Sequence, residues 1–412
     1  MNKNRLFHRD FTLVVIGQII SLFGNAILRF ALPLYLLNIT GSSSVYGTVL
    51  ALSMIPMILL SPIGGIIADR VNKRNIMVIL DFTTAALVLI FTLTMSQMNL
   101  VVLMTITMML LCGIQAAYQP AVQASLPALT SPGHLLPANA VINQVSSLAG
   151  LLGPIIGGIL LGSFGLAPIL LLGIVCFTCS AIMEIFIHIP FERQPVKTRM
   201  LTMVTADFRE SVTYIRKDNP TILKVMLIVA VFNLFLTSML IVGFPVLITQ
   251  TLGLSLKLCG YAEGALAFGG LCGGVLTGIL SKKLQVSNSH LLLLAATVFT
   301  LPVGIALLLG APAMVTYLII TVCSFLLMAS ATMFTVQTLS YLQSVTPPHL
   351  IGKVISFAMT LSMCAQPIGQ GMYGFLFDLL KNQTWVIILG TVLISAIVTI
   401  LSARVFRTLR NA

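Results

Sequence analysis

Scanned for apolar and polar positions, the chain is a succession of long apolar runs separated by short polar breaks. A helix rises about 1.5 Å per residue, so about 20 apolar residues cross a hydrocarbon core about 30 Å thick. By that measure the pattern predicts twelve spanning helices, at about 11–37, 46–68, 75–96, 99–127, 136–163, 166–189, 221–249, 257–280, 289–309, 311–343, 351–378 and 384–406. The first run follows the basic stretch Met1–Asp10. It continues for about 28 residues, too long for the apolar region of a cleavable signal peptide, and is expected to be a retained span. The breaks are short except between spans six and seven. There the polar stretch Pro190–Pro220 carries Arg193, Lys197, Arg199, Asp207, Arg209, Glu210, Arg216, Lys217 and Asp218. The predicted organisation is a six-helix bundle over residues 1–189, a central cytoplasmic loop over 190–220, and a second six-helix bundle over 221–412.

Composition agrees with this pattern. Hydrophobic residues make up 58% of the 412 and charged residues 8%, with a mean hydropathy of +1.07. Soluble domains carry about a quarter charged residues, so a chain this apolar takes the bilayer as its solvent. The expected class is an all-α membrane protein. A net charge of +12 could suggest nucleic acid as a partner, but the basic residues are scattered among the breaks and form no stripe with interleaved aromatics. Topology accounts for them better. With the N-terminus inside, 19 of the 22 Lys and Arg fall on the cytoplasmic side, leaving Lys257 and Lys381 outside and Arg29 within a span. Cytoplasmic loops carry that excess. Both termini are therefore expected in the cytoplasm, the number of spans is expected to be even, and the location is expected to be a bacterial plasma membrane.

The two halves echo each other. Gly64-Gly65-Ile66-Ile67-Ala68-Asp69 precedes Lys73-Arg74 at the end of span two, and Gly273-Gly274-Val275-Leu276-Thr277-Gly278 precedes Lys282-Lys283 at the end of span eight. Gly153-Pro154-Ile155-Ile156-Gly157-Gly158 in span five answers to Gln366-Pro367-Ile368-Gly369-Gln370-Gly371 in span eleven. Repeated halves are an expected transporter architecture, with substrate bound near the membrane midplane.

On these residues the chain resembles the major facilitator superfamily. Gly65, Asp69, Arg70, Lys73 and Arg74 are similar to that family's signature between spans two and three. The resemblance implies a twelve-helix fold of two pseudo-symmetric bundles and a conformational latch at those residues. Asp81, two turns into span three, is expected to join the latch through Arg70 or Arg74. Gly153, Pro154, Gly157 and Gly158 resemble the motif of the family's exporters, with Ala149 where a glycine is usual. Proline kinks a helix and glycines thin its packing face, so the motif would seal or hinge the interface between halves, or serve ordinary helix packing. Three further stretches resemble the branch that includes macrolide efflux and siderophore export proteins: Phe23-Gly24-Asn25 with Ala31-Leu32-Pro33, Pro137-Ala138-Asn139-Ala140, and Thr346 to Val354. The arginine that other drug/proton exporters carry in span four has no counterpart around Leu111–Gln115.

Charged groups inside a span are candidates for transport chemistry. Arg29 in span one would attract an anionic group or snorkel to the interface. Glu263 in span eight is the leading candidate for a protonatable coupling group or a partner for a cationic drug. Glu184 and Asp378, near span ends, are expected in solvated interfacial roles. Gln115, Gln119 and Gln123 recur every four residues on one face of span four, and Gln337, Ser340, Tyr341 and Ser344 share a face of span ten. By the resemblance, spans one, four, seven and ten line the cavity. Gln115, Gln119, Gln123, Gln337 and Tyr341, with Asn25, are thus substrate candidates, or interhelical hydrogen-bonding groups.

The seven cysteines lie mostly in apolar runs, and Cys176-x-x-Cys179 lacks a second ligand pair, so no metal site is expected. No phosphate-binding G-x-x-x-x-G-K-[ST] occurs, so direct ATP drive is excluded. No cofactor and no enzymatic constellation is expected. The expected function is secondary active export of small amphipathic molecules, multidrug or macrolide-like, by proton-coupled antiport and alternating access. The expected partners are a small-molecule substrate, protons and the lipid bilayer, with the protein a monomer. The alternatives are export of an endogenous siderophore or peptide, and a non-transporting sensor or scaffold.

Overall fold

The structure, a computed structural model, describes residues 6–190, 212–281, 284–348 and 350–408; the side chains of Pro62, Gly65, Ile66, Asp69, Lys217, Asp218, Arg407 and Thr408 also lie outside the description. Among the described residues twelve segments are long and apolar enough to cross a membrane. They are α1 (Arg9–Thr40), α2 (Ser43–Arg70), α3 (Lys73–Thr94), α4 (Leu100–Leu129), α5 (Leu135–Phe164), α6 (Ala167–Ile185), α7 (Pro220–Thr251), α8 (Leu256–Leu280), α9 (Ser289–Leu308), α10 (Ala313–Val345), α11 (Ile351–Leu379) and α12 (Thr384–Thr408). Hydrocarbon cannot hydrogen-bond exposed backbone, so only internally bonded elements such as these cross it.

Polar residues set several helix ends. The Asn72 side chain accepts from the backbone N–H of Arg74 at 3.1 Å, and Asn99 accepts from Val101 and Val102 at 3.0 and 3.3 Å. Gly41 after α1 and Gly253 after α7 adopt φ of +60° and +63°, a left-handed conformation that glycine takes without the Cβ penalty. They close the first helix of each repeat in the same way.

Two departures from the sequence expectation concern local geometry. The sixth span ends at Ile185 rather than near 189. Ile187 and Ile189 are apolar and buried, but their backbone has left the helix, and the His188 N–H donates to Asp10 Oδ1 at 3.1 Å. Buried apolar side chains after a helix end look like more helix in a hydropathy pattern. In α7, two π-helical stretches, Asn233–Thr237 and Leu247–Thr251, interrupt the expected continuous α-helix. At the first, Ser238 Oγ donates to the Asn233 carbonyl at 2.9 Å and lies 3.1 Å from the Gln366 carbonyl of α11.

The chain forms two compact units: residues 1–39 with 52–197, and residues 40–51 with 198–412. In the first, α3 packs on α6 and α4, and Phe11, Val14, Tyr118, Leu126, Ala138 and Ile142 belong to one buried cluster. In the second, α8 packs on α10, α9 on α10 and α12, and α11 on α7; a cluster of Ile222, Met226, Leu342 and Val354 joins α7, α10 and α11. The first nine residues of α2 belong to this second unit.

Candidate functional site

Glycine seams set the helix spacing in both units. In the first, a Cβ at Gly64 would strike the Ala116 backbone of α4, one at Gly153 would strike Ala26 of α1, and one at Gly157 would meet Phe30 and the Ile27 carbonyl at 3.1 and 3.3 Å. Small residues let helix backbones approach closely. The Gly153-Pro154-x-x-Gly157-Gly158 motif therefore packs α5 onto α1 within its own unit, with Gly153, Gly157 and Gly158 all buried. In the second unit, Gly269 and Gly273 of α8 abut Phe325 and Ala329 of α10, and Gly369 of α11 abuts Leu234 and Ser238 of α7. The sequence echoes thus correspond to repeated helix contacts. Between α2, α3 and α4, Pro56, Leu60, Gly64, Leu80, Gly113 and Ala117 help line an apolar groove of about 510 Å³.

Hydrogen-bonding side chains gather at one level of the first unit. Tyr118 of α4 donates to Glu184 Oε1 of α6 at 2.7 Å and accepts from Gln18 Nε2 of α1 at 2.7 Å. Ser21 of α1 donates to Asp81 Oδ1 of α3 at 3.0 Å, and Ser180 of α6 donates to the Gly17 carbonyl of α1 at 3.1 Å. Gln18 and Glu184 are 0% exposed and Asp81 is 2% exposed. At Gly17 α1 lies against α6, with Ser180 Oγ and Glu184 3.5 to 3.7 Å from where a Cβ would stand. Two carboxyl groups thus lie close enough to act on one another electrostatically, with the buried Tyr118 hydroxyl bonded to one of them.

This arrangement corrects two expectations. Glu184 is fully buried rather than solvated at an interface. Asp81 faces Ser21, not Arg70 or Arg74. Arg74 lies seven residues earlier on α3, and neither arginine is among the groups that act on Asp81. Of the other latch residues, Arg70 and Lys73 are half-buried at the helix ends, while the side chains of Gly65 and Asp69 lie outside the described residues. Most of the central loop and Lys282, Lys283 and His349 lie outside them as well.

The remaining candidates are dispersed. Asn25 is buried in α1, and Arg29, one turn on, is half-buried with no acidic partner among the described residues. On α4, Gln115 and Gln119 are half-buried and Gln123 is exposed; Gln119 Nε2 is buried without a hydrogen-bond partner. Gln337 of α10 accepts from Ser289 of α9 at 2.9 Å, which makes it an interhelical tie. Tyr341 is half-buried beside the α7–α10–α11 cluster. Glu263 of α8 is half-buried and close enough to Tyr46 and Cys259 to act on both electrostatically. Asp378, expected in a solvated interfacial role, is partly exposed at the end of α11 and caps α2: its carboxylate accepts from Ser42 Oγ at 2.6 Å and from the Ser43 and Ser44 N–H groups at 2.8 and 2.9 Å. Among the described residues no group of three or more His, Cys, Asp or Glu is placed to hold a metal ion, and the seven cysteines are free thiols.

The chain is similar to Macrolide efflux protein A of Streptococcus pyogenes, at 22% identity over 395 residues covering 96% of each chain. It is 23% identical over 389 residues to the multidrug efflux pump Tap of Mycolicibacterium fortuitum, covering 89% of this chain and 88% of that one. In fold it matches a D-xylose–proton symporter, with a TM-score of 0.68 at 14% identity over 96% of each chain. The family model described as Major Facilitator Superfamily matches residues 14–370. With twelve spans, repeated glycine seams and this match across most of its length, the chain belongs to the major facilitator superfamily, a family of multi-pass membrane transporters.

Proposed function

We propose that this protein is a secondary active transporter that exports small amphipathic molecules, macrolide-like compounds among them, by proton antiport and alternating access. It would act as a monomer in the bacterial plasma membrane with both termini in the cytoplasm, and it would catalyse no covalent reaction. The observation that carries this reading is the near end-to-end similarity to a macrolide efflux protein. An α4 face of half-buried and exposed amides at Gln115, Gln119 and Gln123 supports it, because such a lining suits ligands that are partly apolar. Arg29, without an acidic partner among the described residues, would meet anionic groups, and half-buried Glu263 would meet cationic ones or carry a proton.

The test is a susceptibility panel in an efflux-deficient bacterium expressing the protein or its Glu263→Gln variant, followed by uptake into inverted vesicles. The expected result is raised macrolide resistance and gradient-dependent accumulation, both weakened in the variant. No accumulation of any tested drug would refute export of this class. Unaltered resistance in the variant would remove Glu263 from the mechanism.

A further inference from the structure

Asp81 and Glu184 sit where an unpartnered negative charge is hardest to sustain. Both are buried in a membrane-spanning bundle, and an uncompensated ion in such a setting costs several kcal/mol even after relaxation. Among the described residues no cation acts on them. Neither α4 nor α5 carries a charged residue, and Glu184 is the one charged residue of α6. On α3 the basic residues are Lys73 and Arg74 at its start, two turns from Asp81. On α1, Arg9 and Arg29 are nine and eleven residues from Gln18, which is more than about 13 Å of helix rise. Arg70 ends α2, one short turn from the start of α3. Tyr118 is the other titratable side chain in contact with the pair.

Donor counting shows what the cluster lacks. The Tyr118 hydroxyl is spent on Glu184, the Ser21 hydroxyl on Asp81, and one Gln18 N–H on Tyr118. Three buried acceptors remain with no partner: Asp81 Oδ2, Glu184 Oε2 and Gln18 Oε1. Buried acceptors are ordinarily satisfied, and an ionised carboxylate can only accept, whereas a neutral one also donates one O–H. Adding a proton to either carboxyl removes a charge and supplies the missing donor at once. The ionised form leaves Asp81 Oδ2 and Glu184 Oε2 as acceptors without a donor.

We propose that Asp81 and Glu184, with Tyr118 beside them, form a proton-binding site inside the N-terminal bundle, and that its protons are the coupling ions of the antiport reading above, on which this second clause rests. Glu263 would then contact substrate rather than carry the coupled proton. The site needs no arginine in α4, and none is present.

The proposal is tested in two arms. In the first, infrared spectra of the purified protein in detergent are recorded across pH for the wild type and for Asp81→Asn with Glu184→Gln. A protonated-carboxyl band that titrates in the wild type and is lost in the double variant is expected; its absence from the wild type, or its persistence in the double variant, overturns the site. In the second, radiolabelled erythromycin transport into proteoliposomes is compared under an imposed pH gradient and in gradient-free exchange. The ratio of the two rates is expected to fall about tenfold or more in Asp81→Asn and in Glu184→Gln. Tyr118→Phe, which keeps both carboxyls, is expected to shift the pH profile of that ratio, and it guards against misfolding of the charge-removing variants. A ratio that stays at the wild-type value in all three, or one restored by a sodium gradient, overturns the coupling claim. Wild-type protein that moves no erythromycin in either mode counts against the export reading, while the infrared arm still decides whether the pair binds protons.

Discussion

The first, fourth and sixth helices of each bundle are joined through different chemistry. In the N-terminal bundle α1, α4 and α6 join through Gln18, Tyr118 and Glu184, linked by hydrogen bonds of 2.7 Å. In the C-terminal bundle α7, α10 and α12 join through Phe232, Phe334 and Phe406, whose rings lie 6.3 and 6.0 Å apart between centroids, tilted and edge-on. The apolar solution needs no partners beyond contact, and aromatic pairs of this geometry are favourable in their own right. Helix association in a bilayer does not need buried acids, which are expensive there. Three phenylalanines join the same three helices of the other bundle, so joining these helices does not of itself require an acid such as Glu184.

Five changes would break or sharpen this contrast. The largest effect is expected from Phe334→Ala, which empties the space between two rings. Loss of a buried phenylalanine costs about 3–5 kcal/mol, so thermal unfolding in detergent should move well down while the pH dependence of transport is retained. Tyr118→Phe should cost about 2–3 kcal/mol, because it strands Gln18 Nε2 and Glu184 Oε1 in a buried site. Unlike the ring variant, it should alter the response to pH. Gly153→Ala and Gly369→Ala test what the bundles share. Each places a methyl against the first helix of its own bundle, and each should cost about 1–3 kcal/mol with similar loss of thermal stability. A large disparity between the two would mean that the repeated seams are not equivalent. The smallest effect is expected from Asp378→Asn, which weakens a charge-assisted cap on α2 and should lower stability by about 1 kcal/mol, read in the same unfolding assay.

The spans were legible because length and hydropathy are local properties, and most observed ends fall within a few residues of the expected ones. The Gly-Pro echoes were legible too, since close packing requires small residues at fixed spacing. The acid pair was not. Asp81 and Glu184 come from helices far apart in sequence and are bound by Ser21 and Tyr118 respectively, and no pattern along one helix shows which faces will meet. Glu184 misled because nearness to a span end implies water only if the chain beyond continues into water. Here Ile187 and Ile189 fold back into the core. Gln337 was ambiguous from sequence alone, because an amide that lines a cavity and one that ties two helices share the same periodicity. The π-helical stretches in α7 leave the hydropathy pattern unchanged and could not be seen in it.

The most direct test of the contrast is to count protons. Purified protein in weakly buffered detergent solution is mixed with erythromycin, and the protons released per bound molecule are read with a pH-sensitive dye. The wild type and Phe334→Leu should both release protons, and the Asp81→Asn, Glu184→Gln double variant should release none. Undiminished release from the double variant would show that the protons come from elsewhere and that the buried acids of the N-terminal bundle are structural.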